Sequence, residues 1–147
     1  MNISLYRHMC WQPIKDYSSD VRYLTKFNGR DCERELIRIN VQIRRTNIDV
    51  NRMIDGRTPL HYAADYGQNE VVRYLLEKGA NANATDKHGI TTLLAAIWEG
   101  HTNCVKLLLE KGAKPDGLTP DGTSYLDAAE KDEIKQLLKL HYRILAL

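Results

Sequence analysis

Three separate glycine positions in this chain obey one period. Gly56, Gly89 and Gly122 lie 33 residues apart, as do Gly67 and Gly100, and Gly79 and Gly112. A fixed period of this size marks a stacked array of small units, each of which buries its apolar face only against its neighbours. Between the glycines one texture returns: Val71-Val72-Arg73-Tyr74-Leu75-Leu76-Glu77-Lys78-Gly79-Ala80 is echoed by Cys104-Val105-Lys106-Leu107-Leu108-Leu109-Glu110-Lys111-Gly112-Ala113. Val71, Val72, Leu75 and Leu76 share one helical face, and Gly79 and Gly112 supply the left-handed stop that ends each helix.

A second, shorter helix precedes each of these. Asp55-Gly56-Arg57-Thr58-Pro59-Leu60-His61-Tyr62-Ala63-Ala64 begins with an N-cap in Thr58 and a proline at the first helical position, where its missing donor costs nothing. Leu60 points inward, Ala63 and Ala64 keep the helix thin enough for neighbours to approach, and Gly67 permits the sharp exit. This Thr-Pro-Leu-His-x-Ala-Ala run resembles the signature of the ankyrin-repeat family. The fold the resemblance implies is all-α: an ankyrin-repeat solenoid of 33-residue helix-turn-helix units with β-turn tips.

The second unit, His88-Gly89-Ile90-Thr91-Thr92-Leu93-Leu94-Ala95-Ala96-Ile97, keeps the cap in Thr91 but has Thr92 and Leu94 where the first has Pro59 and His61, so its polar ties are expected to be weaker. The third, Asp121-Gly122-Thr123-Ser124-Tyr125-Leu126-Asp127-Ala128-Ala129, reaches Ile134, Leu137 and Leu138 early, which suits a terminal cap. Glu130, Lys131, Asp132, Glu133, Lys135, Gln136 and Lys139 supply its polar outer face. Upstream, aligning Asn51 with Asn83 makes Asp49-Val50-Asn51 the end of an earlier unit, with Ile39 and Ile43 on a helix expected over roughly residues 32–46. The expected organisation is a divergent segment 1–30, a degenerate repeat 31–52, repeats 53–85 and 86–118, and a capping repeat with tail 119–147. Residues 1–30 either cover the open end of the stack with Trp11, Ile14, Val21, Tyr23 and Leu24, the preferred reading, or are disordered.

Within the ankyrin proteins, the chain from Asp49 to Leu138 is similar to the myotrophin family in residues the general repeat does not demand. These are Pro59-Leu60-His61-Tyr62-Ala63-Ala64-Asp65, Asp86-Lys87-His88, Ile90-Thr91, Glu99-Gly100-His101, Cys104 to Leu109 and Pro120-Asp121-Gly122, together with the short last repeat. Only Trp11, Ile14 and Lys15 correspond to that family's first helix. The resemblance implies binding to the actin filament capping protein heterodimer, which is held away from filament barbed ends. The alternative is a general ankyrin adaptor in signalling or transcription regulation.

Charge and cysteine narrow the setting. Residues 1–50 hold 9 basic and 6 acidic side chains and residues 51–147 hold 12 and 13, so the excess of 2 positive charges belongs to the N-terminal third. Arg22, Arg30, Arg34, Arg38, Arg44 and Arg45 alternate with Asp20, Asp31, Glu33 and Glu35, a solvated surface and not a nucleic-acid stripe. Cys10, Cys32 and Cys104 are too few and too scattered for a disulfide framework. Met1 to Arg7 lack the apolar core of a signal peptide, and no stretch approaches a bilayer span. A monomer in the cytoplasm, with the nucleus as a second compartment, is expected, with no membrane or nucleic-acid partner.

Ankyrin stacks bind through turn tips and the exposed ends of their first helices. That rule selects Ile54, Asp55, Arg57, Asp65 and Tyr66 from one repeat and Lys87, His88, Ile90, Trp98 and Glu99 from the next as the partner surface. Tyr66 and Trp98, each beside a carboxylate, are of the type that dominates interface energy, although inter-repeat packing is the other reading for both. No enzyme activity, cofactor or metal is expected. His61 belongs to the structural signature, His101 and Cys104 lack the second pair a structural zinc needs, and the acid pairs Asp132/Glu133 and Asp127/Glu130 lie on the cap. The apolar tail Leu140, Tyr142, Ile144, Leu145 and Leu147 is expected to extend the last helix over the core, the other reading being a docking edge.

Overall fold

The structure is a computed structural model and describes residues 49–53 and 56–147. The expected helix at 32–46, and the segments expected as an end cap and a degenerate repeat up to residue 48, lie outside the described residues. Six helices follow in pairs: α1 (Pro59–Asp65) with α2 (Asn69–Glu77), α3 (Thr92–Trp98) with α4 (Thr102–Glu110), and α5 (Tyr125–Ala128) with α6 (Asp132–Leu145). α1 packs on α2 and α3, α3 on α4 and α5, and α2, α4 and α6 form a second row, so the pairs stack as a two-layered solenoid. The described residues contain no sheet; isolated antiparallel bridges Thr85 to Thr91 and Leu118 to Ser124 close the turns that precede α3 and α5.

The first-row helices α1 and α3 are short because the chain turns out of each at a left-handed glycine, Gly67 and Gly100, and they are thin because their side chains are small. Leu60, Ala63, Ala64, Leu93, Ala96 and Ile97 are buried between neighbouring helices, and the alanines bring the backbones close enough for both rows to share one core. Val71, Val72, Leu75, Cys104, Val105, Leu108, Ile134 and Leu138 close that core from the second row. α2 and α4 both end at the Lys-Gly step, Gly79 with φ 91° and Gly112 with φ 92°, a region that glycine occupies without penalty. With the helix starts aligned, Tyr142 stands where those glycines stand, and α6 accordingly runs on to 14 residues against nine.

Polar side chains lock the register between units. Asn51 accepts from the Asn81 amide at 2.7 Å and donates to the Gly79 carbonyl at 3.2 Å; Asn83 accepts from the Lys114 amide at 2.9 Å and donates to the Gly112 carbonyl at 3.0 Å. The alignment of Asn51 with Asn83 made from sequence therefore corresponds to a shared bonding pattern, and the neighbouring Val50 is buried in the core. His61, fully buried, lies 2.8 Å from the Thr58 hydroxyl and 2.9 Å from the Ile90 carbonyl through its two ring nitrogens.

The second unit lacks that histidine, and a different tie replaces it. Tyr125 reaches back from the third unit to place its hydroxyl 2.8 Å from the Thr91 hydroxyl, while Thr92, in the place of Pro59, donates to the Ala82 carbonyl at 2.8 Å. The expected loss of polar ties is thus corrected in part: they are redistributed. The Tyr125 ring also fills the space where a side chain at Gly117 would project, with an added Cβ coming within 2.2 Å of it.

The last described unit presents Glu130, Lys131, Asp132, Glu133, Gln136 and Lys139 to solvent as expected from sequence. Its tail differs from expectation. The last helix does extend, but Leu140, Ile144, Leu145 and Leu147 stay exposed instead of covering the core. Only Ile134 and Leu138 of α6 are buried.

Candidate protein-binding surface

Asp86 builds the best-defined turn tip. Its carboxylate accepts the amides of His88 and Ile90 at 2.8 and 3.0 Å, and its own amide donates to the Ile90 carbonyl at 2.9 Å. Aspartate suits this place because its short acceptor-only side chain satisfies the amides two and four residues on. The result exposes Lys87 and His88 at the apex. The Lys87 amide donates to the Gly56 carbonyl at 2.8 Å and its side chain lies over Gly56, so successive tips are tied together. The next tip, built on Thr119 bonded to Asp121 and Thr123, exposes Pro120 and Asp121; the Thr119 hydroxyl holds the Asp121 carboxyl below its ordinary value.

Arg57 and Ile90 were expected at the partner surface, and the structure corrects both. Ile90 is fully buried because it closes the turn beneath Lys87 and His88. Arg57, 5% exposed, lies between two carboxylates, 2.5 Å from Asp65 and 3.6 Å from Asp86, with the Tyr62 ring 5.3 Å below its guanidinium. A buried guanidinium requires such compensation, since an uncompensated buried charge is strongly destabilising. The network joins the first tip to the second and fixes Asp65, whose carboxylate is still partly open to solvent. Sequence reasoning missed Asp86 and Tyr62. The available signal was an irregularity: the period puts Ile90 and Thr123 where the first unit has Arg57, and Thr119 where the second turn has Asp86.

Of the other expected positions, Tyr66 is 52% exposed at the end of α1, while Trp98 and Glu99 are half-buried at the matching end of α3. Trp98 packs against the core with part of its ring still open. Ile54 and Asp55 lie outside the described residues. Tyr62, Asp65, Tyr66, Trp98, Glu99, Lys87 and His88 therefore span two consecutive units as an aromatic and mixed-charge surface.

Cys104 and His101 are engaged structurally. Burial pushes the Cys104 thiol up to about 12, and its sulfur donates to Asn69. The ring of His101 bonds the Asp65 carbonyl at 3.0 Å. Lys131 donates to the Gly100 carbonyl at 2.6 Å across a polar hollow of about 350 Å³ at the starts of α2, α4 and α6. No cluster of three or more potential metal ligands occurs among the described residues.

Comparison with known proteins gives a consistent set of likenesses. The family described as ankyrin repeats (3 copies) matches residues 21–119. Myotrophin of Xenopus tropicalis is 68% identical over 34 residues, 22% of this chain and 29% of that protein. Human Rabankyrin-5 is 53% identical over 47 residues, 32% of the chain and 4% of that protein. The chicken nuclear factor NF-kappa-B p105 subunit is 37% identical over 102 residues, 68% of the chain and 10% of that protein. The chain thus spans less than a third of the length of each of these relatives.

Proposed function

The chain belongs to the ankyrin-repeat family, a family of protein-interaction modules, and from that premise we propose that it binds and sequesters actin filament capping protein in the manner its likeness to myotrophin implies. The observation that carries this reading is the 68% identity to myotrophin over 34 residues. Identity of that density exceeds what a shared repeat scaffold demands, because the scaffold constrains only the buried and turn positions of each unit. Binding proceeds through shape and a few anchors, without chemistry. Tyr66 and Trp98 supply apolar area, Asp65 and Glu99 the polar rim, and Lys87 and His88 the tip contacts. The protein acts in the cytoplasm as a monomer, with the nucleus as a second compartment.

The second reading is an adaptor for a different protein partner, favoured by the longer 102-residue match to the p105 subunit. An actin assembly assay with purified capping protein separates the two. The chain is expected to relieve barbed-end capping, and Trp98→Ala with Glu99→Ala to weaken that effect at least tenfold, the size of one lost anchor. Unaltered activity in the double variant would retain the function and move the surface. No interaction with capping protein by the folded chain would leave the adaptor reading.

A further inference from the structure

Helix α6 outgrows the helices it stacks beside. It runs 14 residues where α2 and α4 run nine, and its last turns carry apolar side chains that stay in solvent. Leu140, Ile144 and Leu145 are 53%, 57% and 67% exposed, and Leu147 is fully exposed just past the helix end. At about 100° per residue, Leu140, Ile144 and Leu145 spread over about 140° of the helix circumference.

The charges of this helix are sorted along it. Asp132 and Glu133 fall in its first turn, and from Ile134 to Leu147 the only charged side chains are the cations Lys135, Lys139 and Arg143. These three share an arc about 80° wide on the side of the helix opposite the apolar arc. Lys139 and Arg143 are exposed and make no ion pair among the described residues. Glu133 shares the line of Leu140 and Ile144, but it lies seven residues before Leu140, about 10 Å back toward the helix start.

We infer that the end of α6 is a contact for an anionic membrane surface. Leu140, Ile144, Leu145 and Leu147 enter the boundary between headgroups and acyl chains, and Lys139 and Arg143 on the far arc reach the lipid phosphates with their long stems. A helix tilted with its end leading keeps Glu133 in water. The breadth of the apolar arc decides against a partner helix, which takes up the narrow seam of a coiled coil. The projecting end is convex, and a lipid surface closes over such a shape without needing a matched groove. No helix among the described residues is long and apolar enough to cross a membrane, so the contact is peripheral. It departs from the absence of a membrane partner expected from sequence, which rested on the lack of a span. This surface is separate from the turn tips and does not depend on what they bind.

The test is sedimentation of the full chain with vesicles of mixed phosphatidylserine and phosphatidylcholine, and with vesicles of phosphatidylcholine alone. Partition onto the anionic vesicles is expected to be at least tenfold stronger and to fall as salt rises. Leu140→Ser with Ile144→Ser is expected to weaken it at least tenfold, the loss of two apolar side chains from the lipid. Lys139→Glu with Arg143→Glu is expected to abolish the preference for anionic vesicles. Both pairs change exposed residues, so an unaltered urea midpoint shows that the fold is intact; should either midpoint move, Leu147→Ser, past the helix end, is expected to weaken partition alone. Equal binding to the two kinds of vesicle, indifference to these changes, or no sedimentation at millimolar lipid overturns the proposal. So does a concentration-dependent dimer that the serine pair dissolves and that vesicles do not disperse.

Discussion

His61 illustrates how one buried side chain joins two repeats. Its Nδ1 lies 3.3 Å from the Thr58 amide, a donor, so that nitrogen is the acceptor and Nε2 carries the proton given to the Ile90 carbonyl. Burial is the chief reason that the imidazole resists protonation below its ordinary 6.5, aided by Arg57 and opposed by the Ile90 bond and by Asp86 and Asp65. The unfolded chain takes up this proton first as pH falls. Stability linked to His61 is therefore complete above about pH 6.5, declines as the pH drops toward the lower folded value, and levels off beneath it. His61→Gln is expected to flatten this part of the dependence in urea midpoints taken between about pH 7.5 and pH 5. His61→Ala is expected to cost about 2–4 kcal/mol at neutral pH, since it leaves a cavity and unpaired groups at Thr58 and Ile90. The residue's structural role was legible in the Thr-Pro-Leu-His run, whereas its bond to Ile90 was not, because that partner lies 29 residues away.

At the scale of elements, the three helix pairs use different ties at equivalent places. The first pair has a buried ion network where the second has Ile90, Ala95, Trp98 and Thr119. Arg57→Ile is therefore expected to cost about 3 kcal/mol by leaving Asp86 buried without its counter-charge, and adding Asp86→Thr, the residue of the next turn, to return part of that loss in denaturant titrations. Tyr125→Phe removes the bond to Thr91 while keeping the ring against Gly117, with an expected loss of about 1 kcal/mol in the same measurement. Helix existence and order were legible because glycine and apolar spacing repeat in sequence. The exposure of Arg57 and Ile90 was misjudged because a repeat template gives positions without saying which of two neighbouring turns will close over a side chain. The fate of the tail was misread for a related reason: apolar residues imply burial only if a surface lies opposite them, and Leu140 and Ile144 meet none among the described residues.

For the whole molecule, stability is shared between units and the interfaces joining them, as in any array where each unit touches only its neighbours. The middle pair is flanked on both sides, with Leu93, Leu94, Ala96 and Ile97 all buried. Among the described residues, native-state amide exchange is thus expected to be slowest in α3 and fastest beyond Tyr142, where the end of α6 buries nothing. Uniform protection along the chain would show a single cooperative block instead. The same architecture governs what could be read about the binding surface. A solenoid displays whatever its tips and helix ends carry, so a sequence locates the surface but leaves its partner to a local likeness with one relative.

The asparagine joints have one more consequence, for how this protein ages. Asn51 and Asn83 each accept and donate through the two ends of one amide, and both bonds cross to the next unit. Hydrolytic deamidation converts such an amide into a carboxylate, which has nothing to donate and sets a negative charge against a carbonyl oxygen. Period 33 brings Asp116 to the place of Asn83, so the second unit already carries the acceptor-only form at that position. Chemical damage at Asn83 would give an inner joint the character of that outer one, and would weaken the solenoid at the seam between its first and second units.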